Sequence, residues 1–236
     1  MDLGEKPPAY AEVQQDEFTK QDFVDLMKHF YKKDWMTGTG GAMGIRIGDE
    51  LWISPSGVQK ERIKPSDIFI YDFKTLTILQ QPKNQRIKAS ACGHLFVEIM
   101  KRRDVKCVIH THSLASNLVT TERSSFFTPS NKWKTHEQEY IKGIYNPVEK
   151  RNYRYSETVK VPIVENTDTE DQLLPQLCDV LDEHPEATAM LVKNHGVFVW
   201  GDSWEQTKIM LECYDYLFAL SVEMRKFPVA SRTLIG

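Results

Sequence analysis

The stretch VKCVIHTHS, residues 105–113, marks a change in the hydrophobic period of the chain. From Ser90 onward, apolar residues recur with the spacing of an amphipathic helix, whereas residues 105–110 form a run of β-forming residues. His110 and His112 follow at the end of this run. Because residues i and i+2 of a strand project from the same face, the stretch predicts a strand that carries two histidines side by side.

Elements of both kinds alternate along the rest of the chain. Three predicted helix starts carry capping pairs, namely Thr19 with Asp22, Thr169 with Gln172, and Ser203 with Gln206. Strand-like runs cover residues 51–53, 68–71, about 76–79, 159–164, 189–193 and 197–200. Pro162 predicts an edge position for the 159–164 strand, because proline cannot donate a ladder hydrogen bond. The alternation predicts a layered fold in which helices pack on a central sheet.

Size and composition are those of an ordinary globular domain. The chain has 236 residues, 41% apolar and 27% charged, with a formal net charge of -3. Neither an electrostatic footprint for nucleic acid nor an apolar run of the roughly 20 residues that span a membrane is present. Residues 1–17 are polar and lack the apolar segment of a secretion signal, so we expect a flexible tail before a single domain over residues 18–236. The four cysteines are widely spaced, which favours a reducing cytoplasm over a disulfide framework.

The paired histidines are candidate metal ligands. A catalytic zinc typically has three protein ligands, with Zn–N distances of about 2.0–2.1 Å, and keeps a position open for water or substrate. His195 is the candidate third ligand, because it lies at a predicted strand end beside Gly196, where the backbone can turn sharply. The same spacing also occurs in histidines that are only hydrogen-bonded or exposed, so the pattern leaves both interpretations open. The ligand set would also accept cobalt, nickel or iron.

The segment TGTGGAMG, residues 37–44, fails the tests for a nucleotide-binding loop. A GxGxxG motif from Gly38 would need glycine at Met43, a helix rather than a strand precedes it, and the Gly-Lys-Ser/Thr ending of a P-loop is absent. We expect a flexible loop rich in backbone donors, which could bind a phosphate together with the turn SPSG, residues 54–57. The alternative is that both segments only need glycine in order to turn.

Five motifs together resemble the class II aldolase/adducin-like family. They are TGTGG (37–41), ISPSGVQKERI (53–63), VIHTHS (108–113), HEQEYIKGI (136–144) and KNHGVFVWG (193–201). They stand in the family's order, and the resemblance covers about residues 20–225. It implies a three-layer α/β fold, with a central, largely antiparallel sheet flanked by helices, in a cytoplasmic homotetramer.

The resemblance also implies roles for individual residues. His110, His112 and His195 would hold one zinc ion per subunit. Glu139 would be the general acid/base, with Glu137 as its rival. The residues implied in substrate or phosphate binding are Gly40, Gly41, Ser56, Gly57, Ser90 and Cys92.

The activity implied is that of a dehydratase. Cys92 stands where the family's aldolases carry a glutamate base, and QEYIKG, residues 138–143, is typical of its dehydratases. The resemblance therefore implies zinc-dependent loss of water from a methylthio-substituted sugar phosphate in methionine salvage. The alternatives are a sugar-phosphate aldolase or epimerase, against which Cys92 counts, and a non-catalytic interaction module of the adducin kind, against which the complete histidine set and Glu139 count.

Overall fold

The computed structural model describes residues 18–121 and 131–226. The strands are β1 (Ala42–Ile47), β2 (Glu50–Ile53), β3 (Pro55–Ser56), β4 (Phe69–Asp72), β5 (Ile78–Gln80), β6 (Lys88–Ala89), β7 (Cys107–Thr111), β8 (Lys132–His136), β9 (Tyr145–Asn146), β10 (Arg151–Asn152), β11 (Thr158–Val164), β12 (Ala189–Val192) and β13 (Gly196–Gly201). The helices are α1 (Lys20–Lys32), α2 (Gly93–Arg103), α3 (Leu114–Leu118), α4 (Leu174–Glu183) and α5 (Trp204–Met224). Short 3-10 turns cover Lys60–Arg62, Pro65–Asp67, Glu139–Gly143 and Glu170–Leu173.

A nine-stranded sheet organises the described residues. Its order is β5-β4-β2-β1-β7-β13-β12-β11-β8, and among its pairings only that of β11 with β12 is parallel. Helices α1 and α5 pack on one face, where they bury Phe23, Phe30 and Phe218. Helices α2 and α4 pack on the other face, where they bury Phe96 and Leu177. The predicted α/β fold with a largely antiparallel central sheet is confirmed.

Local capping explains where two of the helices begin. Thr19 and Asp22 form both arms of a capping box, with Asp22 N donating to Thr19 Oγ1 at 3.2 Å and Thr19 N donating to Asp22 Oδ2 at 2.8 Å. Ser203 Oγ accepts from Gln206 N at 3.2 Å, as predicted. The predicted capping box at Thr169 is wrong, because its side chain makes no cap and a 3-10 turn precedes α4.

Two further predictions fail for reasons that lie outside the segment concerned. Strand β11 is not an edge strand, because β8 pairs beyond it. Ile163 N donates to Asn131 O on the β8 side, so the nitrogen of Pro162 faces β12, where the paired register begins only at Ile163. The loop interpretation of residues 37–44 holds only up to Gly41, because β1 begins at Ala42.

The tail predicted over residues 1–17 lies outside the described residues, so the domain assignment stays a prediction. Among residues 18–121 and 131–226, no helix is both long enough and apolar enough to span a membrane.

Candidate metal centre

Three histidines meet at one end of the central strands. His110 lies within β7, where it pairs with Ala42 of β1 and Phe198 of β13 and is 1% exposed. His112 follows the end of β7, and His195 directly precedes β13. Gly196 permits this arrangement, since a Cβ there would lie 2.0 Å from the carbonyl oxygen of Thr111. The close approach of the two strands therefore brings the sequence-distant His195 to the other two histidines.

The three Nε2 atoms converge. His112 Nε2 lies 2.9 Å from His110 Nε2 and 2.9 Å from His195 Nε2. The other ring nitrogen, Nδ1, is held at 3.1 Å from the Val197 carbonyl in His110, and at 3.1 Å from Asn166 Oδ1 in His195. Because both partners are acceptors, these Nδ1 atoms carry the protons and the Nε2 lone pairs point inward.

The pKa values of the three histidines favour the neutral form, which can bind a cation. Burial lowers the pKa of His110 well below its ordinary value, and it lowers the pKa of His112 to about 4, with His195 as the next cause. Burial also lowers the pKa of His195. Neutral imidazoles are the form that binds metals. Two Nε2 lone pairs point inward and the Nε2 atom of His112 lies within 2.9 Å of both, so the donor set fits a divalent metal ion.

The glycine loop supports the histidines directly. A Cβ at Gly40 would lie 2.5 Å from His112 Nδ1, and a Cβ at Gly41 would lie 2.5 Å from Met36 Cγ. The loop thus packs against a predicted ligand. The phosphate role of Gly40 and Gly41 stays a prediction, because close packing alone already requires glycine at both positions.

Lys60 joins this loop to the SPSG turn. Its ammonium donates to Thr39 O at 2.8 Å and to Val58 O at 3.3 Å, and the residue is fully buried. Burial lowers the pKa of Lys60 to about 8. Ser56 is half-buried in β3, and Gly57 has a φ of +64° with open space where a side chain would project. The two predicted phosphate-binding segments are therefore adjacent, and a buried amine connects them.

Ser90 and Cys92 stand between the SPSG turn and the histidines. Ser90 N donates to Ser54 O at 3.0 Å, and Cys92 N donates to Ser90 Oγ at 3.2 Å. Cys92 is buried, and burial, followed by the charge of Glu170, raises the pKa of its thiol. The thiol is therefore protonated at neutral pH.

Glu170 belongs to the same cluster and was missed by the sequence analysis. One ligand atom each from Cys92, His110 and Glu170 lie within 4.8 Å of one another, and Glu170 Oε1 is 3.6 Å from His195 Nε2. No motif points to Glu170, which lies in the turn between β11 and α4. Only the folding of that turn onto the histidine end of the sheet reveals it.

Glu139 lies in a different part of the structure from the histidines. Its side chain is 69% exposed and forms an ion pair with Lys142, and neither Glu139 nor Glu137 belongs to a group of potential metal ligands among the described residues. The Glu139 turn packs on α5 through Ile141, on the α1/α5 face of the sheet. The ring of His110 stacks on Phe198, with centroids 4.0 Å apart, on the α2/α4 face. The structure does not bring Glu139 to the histidines of its own chain.

The chain is similar to known proteins over most of its length. The model of the class II aldolase and adducin N-terminal domain family matches residues 21–222. A probable methylthioribulose-1-phosphate dehydratase of Caenorhabditis elegans is 50% identical over 88% of this chain and 77% of that protein. The methylthioribulose-1-phosphate dehydratase of Salmo salar is 42% identical over 92% and 84%, and that of Mus musculus is 43% identical over 86% and 82%.

Solved structures of the same fold include two sugar-phosphate enzymes. An L-fuculose 1-phosphate aldolase superposes with a TM-score of 0.68 at 17% identity, over 91% of this chain and 89% of that one. A sugar-phosphate aldolase from Thermotoga maritima superposes with a TM-score of 0.62 at 13% identity, over 88% and 94%. At such identities the likeness concerns the fold alone.

Proposed function

Since this chain belongs to the class II aldolase and adducin N-terminal domain family, we propose that it is a dehydratase of 5-methylthioribulose 1-phosphate. The product would be 5-methylthio-2,3-dioxopentyl phosphate, formed with loss of water in methionine salvage in the cytoplasm. The observation that carries the proposal is the 42–50% identity to methylthioribulose-1-phosphate dehydratases in a chain whose three histidines converge.

His110, His112 and His195 would hold one zinc ion per subunit. When bound, zinc supplies a Lewis acid that stabilises negative charge on a substrate oxygen. The chain's own residues orient the ligands: the Val197 carbonyl and Asn166 fix two rings, and Gly40 leaves room for the third.

Phosphate and substrate contacts would come from the two turns beside the cluster. Gly40 and Gly41 would contact the phosphate together with the hydroxyl of Ser56 and the turn at Gly57, while Ser90 and Cys92 would contact the sugar. The Gly40 amide donates to Thr37 O at 3.1 Å, so the backbone donor would be the amide of Gly41. Lys60 supports this assignment, because a buried ammonium between the two turns adds positive potential for an anion.

Glu139 would donate a proton to the C4 hydroxyl, because water leaves far more readily than hydroxide. Since Glu139 lies on the α1/α5 face, away from the histidines of its own chain, it would serve the histidines of another copy in the expected homotetramer. The neighbouring rings of Tyr140 and Tyr216 support a contact surface there, since they stack at 3.9 Å and each is about half exposed.

The test is turnover of 5-methylthioribulose 1-phosphate by purified, metal-loaded protein. We expect diketone formation with about one metal per chain, loss of both metal and turnover in His110→Ala, and retention of both in His29→Ala. His29 is the matched control because it lies on α1, 41% exposed, beside Glu212. No diketone from the unmodified protein would refute the proposal, and release of two carbonyl fragments would indicate aldol cleavage instead.

A further inference from the structure

Glu170 is a partly buried residue, and one of its carboxylate oxygens is fully buried. Its side chain is 20% exposed, and its Oε2 atom is buried with no hydrogen-bond partner among residues 18–121 and 131–226. A buried, unpaired acceptor is costly, and native proteins retain such groups where water, an ion, a ligand or a reaction uses them. Packing alone therefore does not explain why Glu170 occupies this position.

The surroundings of Glu170 connect it to the metal centre. It lines a cavity of about 730 Å³ together with His112, His195, Asn117 and Asn194. Cavities of this size are typical of small-molecule sites. The Glu170 carboxylate and two predicted metal ligands thus line the same cavity.

We propose that Glu170 is the base that removes the C3 proton of the substrate. This inference rests on the proposed function, and it assigns the first proton transfer, which precedes the donation by Glu139 to the C4 hydroxyl. A general base must reach the proton that it abstracts, and Glu170 is the carboxylate that lies beside His195 and Cys92.

The proton transfers balance. The C3–H bond breaks, its electron pair forms the C2–C3 double bond of an enediolate as the C2 carbonyl π pair moves to O2, and the proton passes to Oε2 of Glu170. The proton of Glu139 passes to the C4 hydroxyl, the C4–O bond breaks and water leaves, while the C2 carbonyl is restored and the C2–C3 π pair forms the C3–C4 double bond. The resulting enol becomes the diketone when a proton leaves O3 and another joins C4, and the two carboxyl groups return to their starting states by exchange with water.

Substitution of Glu170 gives the first part of the test. In metal-loaded protein, Glu170→Gln should lower turnover by about 10²–10⁴-fold with unchanged metal content, and Glu170→Asp should recover part of the loss. Glu165→Gln is the matched control, because Glu165 lies in the same connection between β11 and α4 but is 63% exposed. It should turn over at the wild-type rate. Loss of metal from Glu170→Gln would instead identify Glu170 as a metal ligand and overturn the proposal.

Hydrogen exchange at C3 separates this inference from the proposed function. In Glu139→Gln elimination is blocked, so the enediolate should return to substrate with deuterium from D₂O at C3, detectable by NMR. The double variant Glu139→Gln/Glu170→Gln should lose this exchange, whereas Glu139→Gln/Glu165→Gln should keep it. Exchange that survives removal of Glu170, or that already vanishes in Glu139→Gln alone, would overturn the assignment. If the unmodified protein shows neither turnover nor exchange, the proposed function itself fails.

Discussion

Two glutamates of this chain have opposite surroundings. Glu139 belongs to a recognisable motif, is 69% exposed and pairs with Lys142 on the α1/α5 side of the sheet. Glu170 belongs to no motif, yet it lies beside His195, and one of its oxygens has no hydrogen-bond partner within the described part of the chain. A motif identifies a residue type, whereas the fold decides which chemistry the residue can reach. In the proposed mechanism Glu139 would need a second copy of the chain in order to reach a metal centre, whereas Glu170 would not.

The largest effect is expected when two inactive variants are combined, which tests whether Glu139 acts on the histidines of another copy. Co-expression of His110→Ala with Glu139→Gln should restore about a quarter of wild-type turnover, because random assembly places an intact histidine set opposite an intact Glu139 in that share of sites. Each variant expressed alone should stay inactive. A mixed protein as inactive as its parents would mean that Glu139 does not act across copies, and the contrast drawn between the two glutamates would then fail.

Gly40→Ala tests whether the glycine loop holds His112 in place on the histidine side of this comparison. The added methyl group would meet His112 Nδ1 at 2.5 Å, so the ring must move, and we expect metal affinity to fall about 10- to 100-fold in a chelator competition titration. Gly38→Ala is the control in the same loop, with a φ of +62° and open space around it. It should cost about 1–2 kcal/mol of folding stability and leave metal affinity unchanged. Equal metal affinities for the two variants would contradict the packing role of Gly40.

A smaller effect is expected from the residue that orients His195. Asn166→Ala removes the acceptor for His195 Nδ1 and should weaken metal binding by about 10-fold. Asn152→Ala removes a comparable bond, from Asn152 Nδ2 to Lys142 O, in the Glu139 region. It should leave metal affinity intact and cost about 1 kcal/mol in denaturant unfolding. A metal affinity that responds to Asn152 as strongly as to Asn166 would show that the two regions are not independent.

Features that depend on local spacing could be predicted from the sequence. The two-residue period of extended chain brings His110 and His112 together, although His112 lies one residue beyond β7, and the three-residue spacing of a capping box identifies Thr19 as the N-cap of α1. Features that depend on distant segments could not. The interior position of β11 depends on β8, and the strand that begins at Ala42 needs β7 and β2 as partners.

The candidate site likewise contains one residue that the sequence predicts and one that only the fold reveals. His195 was predicted because Gly196 marks a sharp turn, and a tight approach to Thr111 is indeed what that glycine permits. Glu170 carries no local signal of its own. Its significance comes from the way in which the 3-10 turn before α4 folds over Cys92 and His110.

The distance of 83 residues between His112 and His195 also sets an order in time. At a synthesis rate of about 5–20 residues per second, the third histidine leaves the ribosome roughly 4–17 s after the second. During that interval β7 can pair with β1 but not with β13, which is not yet made. Two imidazoles on an open strand hold a metal ion only loosely. We therefore expect the nascent chain to take up its metal last, so that a bound ion marks a chain whose central strands have already closed.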